Sequence, residues 1–123
     1  MTRRRMLACL GVAAATLLGA AGATPPPAQQ ALIDRLIGYV ERQKGMVFVR
    51  NGKDHSCADA AKFLRGKLES MGGKVTTAHE FIDRIASQSS TTGEAYQVRF
   101  SDGRTLPASR FLHDELKRLE PAR

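Results

Sequence analysis

Three arginines at positions 3–5, a run without charge from Met6 to Ala21, and three consecutive prolines at Pro25, Pro26 and Pro27 divide this chain before any other feature does. A basic start, an apolar stretch and the small residues Ala21-Gly22-Ala23 together form the pattern of an export signal, expected to be cleaved after Ala23. The apolar run is rich in Ala and Gly and falls short of the roughly 20 residues that a helix needs to span hydrocarbon. No stable membrane span is therefore expected after signal cleavage. Thr2-Arg3-Arg4-Arg5-Met6-Leu7 fits a twin-arginine signal or an ordinary secretory one, and the export route stays open. Met6-Leu7-Ala8-Cys9 precedes the apolar run instead of following it, which argues against lipid attachment at Cys9. The expected location is periplasmic or secreted.

About 100 residues remain to fold, the size of one small domain. Cys57 is the only cysteine among them, so no disulfide within the chain can brace the domain in an oxidising compartment. A chain of this length buries only about 60 to 68% of its unfolded surface, and its apolar core has to hold it. Removing Arg3, Arg4 and Arg5 takes the net charge from +7 to +4. The remaining basic residues are scattered among acids with no aromatic ladder, the pattern of a solvated surface and not of a nucleic-acid site.

Residues 24–30 read as a stiff, Pro-rich lead-in outside the core, and 31–123 as a single domain. Leu32, Leu36 and Val40, flanked by Ile33, Ile37 and Tyr39, predict a helix ending near Lys44. Met46 to Arg50 is short and β-branched, and Asn51-Gly52 turns it. Ser56 caps the next helix, whose stripe is Cys57, Ala61, Leu64, Leu68 and Met71. Thr77 and Glu80 form a second capping box ahead of Phe81, Ile82, Ile85 and Ala86. The polar stretch 87–93 predicts a loop. Tyr96, Val98 and Phe100 alternate as a half-buried strand, Ser101 to Arg104 turns it, and Phe111, Leu112, Leu116 and Leu119 mark a last helix with Pro107 or Ser109 at its start. The expected architecture is α+β, with about four amphipathic helices packed on a small two- or three-stranded antiparallel sheet.

Phe48-Val49-Arg50-Asn51-Gly52 with His55, Ala60-Ala61-Lys62-Phe63-Leu64-Arg65 with Lys67, and Thr77-Ala78-His79-Glu80-Phe81-Ile82 follow one another in a distinctive order. So do Ser87-Gln88-Ser89-Ser90 with Gly93 and Glu94, Tyr96-Gln97-Val98-Arg99, and Phe111-Leu112-His113-Asp114-Glu115-Leu116. This order resembles the YfeK-like family of small exported bacterial proteins, a domain of unknown function. The resemblance implies location and fold and leaves the chemistry open. It also implies a strand pairing. Relatives often carry one Cys two residues before the Phe of the first motif and another after the Val-Arg of the later strand, where this chain has Met46 and Phe100. If those cysteines bond, the two strands are neighbours.

Several groups of residues in the sequence have reactive side chains. His55 beside Cys57 at a helix start has the form of an activated thiol, but Cys57 also begins its helix's apolar stripe, and an unpaired exported thiol would be oxidised. His55, Cys57, His79 and His113 match no common zinc spacing, and neither a metal nor a cofactor is expected. Ser89 or Ser90 with His55 lacks the elbow that presents a nucleophilic hydroxyl. The residues shared with the family offer a different site. Arg50, Asn51, His55, Ser89, Ser90, Tyr96 and Arg99, with Glu94 nearby, combine two guanidiniums with hydroxyls and loop amides that suit a carboxylate, a sulfate or an anionic cell-wall fragment. The alternative account of the same residues is structural, with Asn51-Gly52 turning the chain, the serines capping backbone and Arg50 pairing with an acid. The function that follows is a non-enzymatic binding module for a periplasmic protein or a small anionic ligand. The alternative is a small envelope hydrolase with His55 as general base, which requires a hydroxyl or carboxylate within reach of the imidazole.

Overall fold

The computed structural model describes residues 25–120, and the expected export signal over 1–23 lies outside them. Helix α1 spans Pro27–Glu41, so the stretch expected to stay extended to residue 30 is helical from Pro27 onward. Proline suits a first helical position because its missing N–H would have no partner there. The first turn is also tied to the fold, since Gln29 Oε1 accepts from the Ala78 amide at 2.8 Å. Ile33, Leu36, Ile37 and Val40 carry the buried face. Gly45 takes the left-handed φ of +72° that turns the chain into the sheet.

Strands β1 (Met46–Arg50), β2 (Lys53–His55), β3 (Gln97–Phe100) and β4 (Thr105–Pro107) form one antiparallel sheet in the order β2-β1-β3-β4. The sheet thus has four strands where two or three were expected, and the additions are the three-residue edges. Asn51 and Gly52 both have positive φ, at 51° and 78°, the pairing that a two-residue hairpin of matching twist requires. Met46 lies opposite Phe100, so the strands implied to be neighbours by the family's cysteines are neighbours.

Helix α2 (Cys57–Met71) follows its Ser56 cap, whose hydroxyl accepts from the Asp59 amide at 3.1 Å. Its buried face is Cys57, Ala60, Ala61, Leu64 and Lys67, while Met71 is 45% exposed. The stripe expected to run to Met71 therefore stops at the partly buried Leu68, next to a buried lysine. Helix α3 opens at Ala78–Glu80, with Thr77 Oγ1 accepting from the Glu80 amide at 3.1 Å, and widens into a π-helical turn over Phe81–Ile85. Phe81, Ile82 and Ile85 are all buried there. Helix α4 (Ala108–Leu119) starts directly after Pro107 and buries Phe111, Leu112 and Leu116.

Met46, Phe48 and Val98 point into the core, whereas Val47, Val49, Gln97 and Arg99 are partly open. The helices accordingly cover one face of the sheet, as an α+β layer arrangement demands. Phe111 joins three elements, stacking on Tyr39 at 5.3 Å and meeting Phe48 edge-on at 6.3 Å. Aromatic contacts of this kind contribute about 0.5–1.5 kcal/mol beyond burial. No helix among the described residues is long and apolar enough to cross a membrane.

Candidate functional site

Residues paired across antiparallel strands share a face, and alternate residues switch face. With Phe48 opposite Val98, Arg50 falls on the helix-covered side of the sheet. Arg99 lies opposite Val47 and hence on the other side, where it pairs with Asp54. The two guanidiniums expected to converge on one anion are therefore separated by the sheet, because their registers differ by an odd number of residues.

Arg50 reaches toward α2 and lays its guanidinium over the Phe63 ring, 4.4 Å from the centroid. Such stacking holds a guanidinium in place while leaving its N–H edges free to donate. Among the described residues Arg50 forms no ion pair with any acid, Glu94 included. Beside it Lys67, only 8% exposed, donates to the Gln88 carbonyl at 2.8 Å and to the Tyr96 hydroxyl at 2.9 Å. Burial, and then the Arg50 charge, lower the Lys67 pKa. Burial also raises that of Tyr96, with the Arg50 charge opposing it. These side chains face an open groove of about 390 Å³ whose far wall is Ser89, Ser90 and Thr91, with no carboxylate in its lining.

The Ser-rich loop is braced from within. Ser89 Oγ accepts from the amides of Thr91 and Thr92 at 3.2 and 3.3 Å. Asn51 donates to the same hydroxyl at 3.3 Å and accepts from Thr92 Oγ1 at 2.7 Å. Asn51 and Ser89 thus hold the hairpin turn against the loop. Ser90 is exposed, with its hydroxyl directed to Met71 Sδ at 3.4 Å.

His55 follows a different course. Paired with Phe48, it lines a smaller cavity of about 50 Å³ whose wall is mostly apolar, with Phe48, Ala60, Phe63 and Leu64, but includes Asp59. Among the described residues its Nε2 is buried with no hydrogen-bond partner, and the Asp59 carboxylate that lines the same cavity does not bond it. Arg50, Phe63 and Tyr96 line both the cavity and the groove. His79 and His113 stack on each other at 5.5 Å away from His55, each beside a carboxylate, Glu120 and Asp83 respectively. Among the described residues no three His, Cys, Asp or Glu side chains are grouped to hold a metal.

The expected site residues Arg50, Asn51, His55, Ser89, Ser90 and Tyr96 therefore gather at one end of the sheet, and Arg99 does not. Phe63 and Lys67 were missed. The signal for Lys67 was its place three residues after Leu64 on the buried face of α2, where a lysine needs oxygen partners to be tolerated.

The chain matches a family model described as "Family of unknown function (DUF5329)" over residues 27–120. It is 40% identical over 68 residues to the uncharacterized protein YfeK of Salmonella typhimurium, an alignment spanning 55% of this chain and 57% of that protein. The match thus spans little more than half the length of this curated relative. No solved structure matches the chain. The family model extends from the first residue of α1 to the residue after α4 and takes in every element of the fold, so the chain belongs to the family of unknown function DUF5329.

Proposed function

We propose that this chain is an exported, periplasmic or secreted binding module that holds a small anionic ligand in the groove between α2 and the 87–94 loop. One observation carries the reading. Arg50 and Lys67 stand side by side, partly withdrawn from water, in a groove whose lining contains no acid. Two neighbouring cations repel one another, and the depressed Lys67 pKa reflects part of that repulsion; an anion between them would relieve it. The exposed hydroxyls of Ser90 and Thr91 add donors across the groove. Export rests on the basic, apolar and small-residue order of 1–23. A hydrolase with His55 as base has less support, since its buried Nε2 has no hydrogen-bond partner among the described residues.

The test is an amide NMR titration of the purified protein with acetate and with sulfate, at fixed ionic strength. Saturable shifts are expected at Arg50, Lys67 and Ser89 to Thr91, lost in Arg50→Ala and retained in Arg99→Ala, whose guanidinium is engaged with Asp54 on the opposite face. Diffuse, unsaturable shifts, or shifts that survive Arg50→Ala, would overturn the proposal.

A further inference from the structure

The groove that holds Arg50 and Lys67 is larger than a bare carboxylate or sulfate requires. A dry cavity of about 150 Å³ takes up benzene, and this groove encloses about 390 Å³. One of its walls is a single face of α2, on which Phe63, Gly66, Lys67 and Ser70 follow one another at helical spacing. Seven residues of helix rise about 10 Å. Arg50 lies over Phe63 at one end of that face, and Ser90, whose hydroxyl is directed to Met71 Sδ, lies at the other. A small anion at Arg50 therefore leaves most of the groove unfilled.

Gly66 stands in the middle of this wall. Inside a helix glycine is less favourable than alanine, and nothing in the chain requires it here. Its φ is not positive, and a β-carbon added to it would have nothing within 4 Å, whereas one added to Gly38 in α1 would meet Arg42 Nη1 at 2.9 Å. What the missing side chain keeps open is the groove. The opposite wall offers hydroxyls and few amides. The Thr91 and Thr92 amides donate to Ser89 Oγ, that of Gly93 to the Ser89 carbonyl and that of Glu94 to Thr92 Oγ1. The loop amides expected to hold an anion are thus committed within the loop, and residues 91–94 form no nest of free N–H groups. The hydroxyls of Ser70, Ser90 and Thr91 each make one contact among the described residues, and a hydroxyl can make three. That of Tyr96 accepts from Lys67 and keeps its own hydrogen to donate.

We infer that the ligand is a sugar acid, a pyranose bearing a carboxylate: the carboxylate meets Arg50 and Lys67, the ring lies over Gly66 along α2, and its hydroxyls bond Ser70, Ser90 and Thr91. This rests on the anion reading of the groove and goes beyond it. A flat carboxylate matches the fork of a stacked guanidinium. A pyranose presents C–H faces to the bare backbone of Gly66 and a rim of hydroxyls that both donate and accept, as the groove's own hydroxyls do. The same chemistry has two sources, a free sugar acid and the end of an acidic glycan.

The probes are acetate, cyclohexanecarboxylate, glucose, glucose 6-phosphate, and the three uronates of glucose, galactose and mannose, titrated into the purified protein by NMR at fixed ionic strength. The best uronate is expected to bind at least ~10-fold more tightly than acetate, cyclohexanecarboxylate or glucose, because a site built to bond hydroxyls rejects the analogue that lacks them. Gly66→Ala should raise the melting temperature and at the same time cut the preference for that uronate over acetate by at least ~10-fold. A merely structural glycine would not link the two. Uronates that all bind no tighter than acetate would overturn the sugar and leave the anion groove standing. Cyclohexanecarboxylate equal to the best uronate would overturn the hydroxyl contacts, and glucose equal to it would overturn the carboxylate. Tighter binding of glucose 6-phosphate would replace the carboxylate by a phosphate. A preference that survives Gly66→Ala would overturn the placement over α2. If no probe binds, acetate included, the groove reading falls as well. Digalacturonate set against galacturonate then identifies the source: tighter binding of the dimer means the end of an acidic glycan, and equal or weaker binding a free acid.

Discussion

Cys57 opens a helix two residues after a histidine, and in isolation that is the arrangement of an activated thiol. In the fold it is 6% exposed, its Sγ donates to the Met46 carbonyl at 3.4 Å, and burial raises its pKa. An aromatic disulfide reagent should therefore label it at least ~100-fold more slowly in the native protein than in denaturant, since reaction waits for opening. The sign of the pH effect follows. With the folded pKa raised, the unfolded thiol loses its proton first, so stability falls as pH climbs past the ordinary thiol range near ~8.5. Melting temperatures from pH 7.5 to 9.5 should show this loss and show it reduced in Cys57→Ala. Rapid native labelling would contradict the burial. Cys57 was legible as a core residue because the apolar stripe of its own helix begins there. Lys67 was legible as a buried one only through its spacing from Leu64. Nothing near it in sequence announces Gln88 and Tyr96, the two oxygens that make its burial tolerable.

At the scale of elements, local chemistry accounts for what was legible and its absence for what was not. The Asn51-Gly52 hairpin and the Ser56 and Thr77 caps each rest on one or two residues with a specific backbone task, and each is found in place. Strands β2 and β4 are three residues long, and sequences such as Lys53-Asp54-His55 have no alternation to reveal them. They exist because β1 and β3 offer them a ladder. The π turn in α3 was equally hidden, since Phe81, Ile82 and Ile85 carry the same pattern in an α-helix. The hairpin turn permits a test that separates backbone from side chain. Asn51→Gly keeps the left-handed backbone and loses the ties to Ser89 and Thr92, while Asn51→Ala loses both. Both should accelerate hydrogen exchange at the Ser89 and Gly93 amides that close the loop. The alanine variant should be less stable than the glycine variant by about 1 kcal/mol in chemical denaturation, the cost of a left-handed β-carbon. Unchanged exchange in both would mean that the loop stands without Asn51.

For the molecule as a whole, the layer arrangement was readable from amphipathic periods, and the convergence of site residues was only half readable. Arg50 and Arg99 looked equivalent because each ends a similar apolar alternation, but register decides the face, and register is a property of two strands together. The long connection through α2 and α3 makes β1 and β3 neighbours although about 50 residues separate them, with Met46 opposite Phe100. Ser101 donates to the Gly45 carbonyl one step further along, so Met46 and Phe100 occupy a pair without mutual backbone bonds, where side chains lie closest. Cysteines at both positions should therefore bond with no change of register. Introduced as Met46→Cys and Phe100→Cys, with Cys9 and Cys57 replaced by alanine to prevent mispairing, they would close a loop of about 55 residues, and loop entropy sets the gain at up to ~4 kcal/mol. Phe100 also packs against Phe111, with ring centroids 6.4 Å apart, so the reduced variant should melt below the parent protein. The informative comparison is the variant with itself. Oxidation should raise its melting temperature by several degrees, and reduction should reverse the change. Failure to oxidise in the native state, or equal melting of both forms, would show that the two strands are not held in this register.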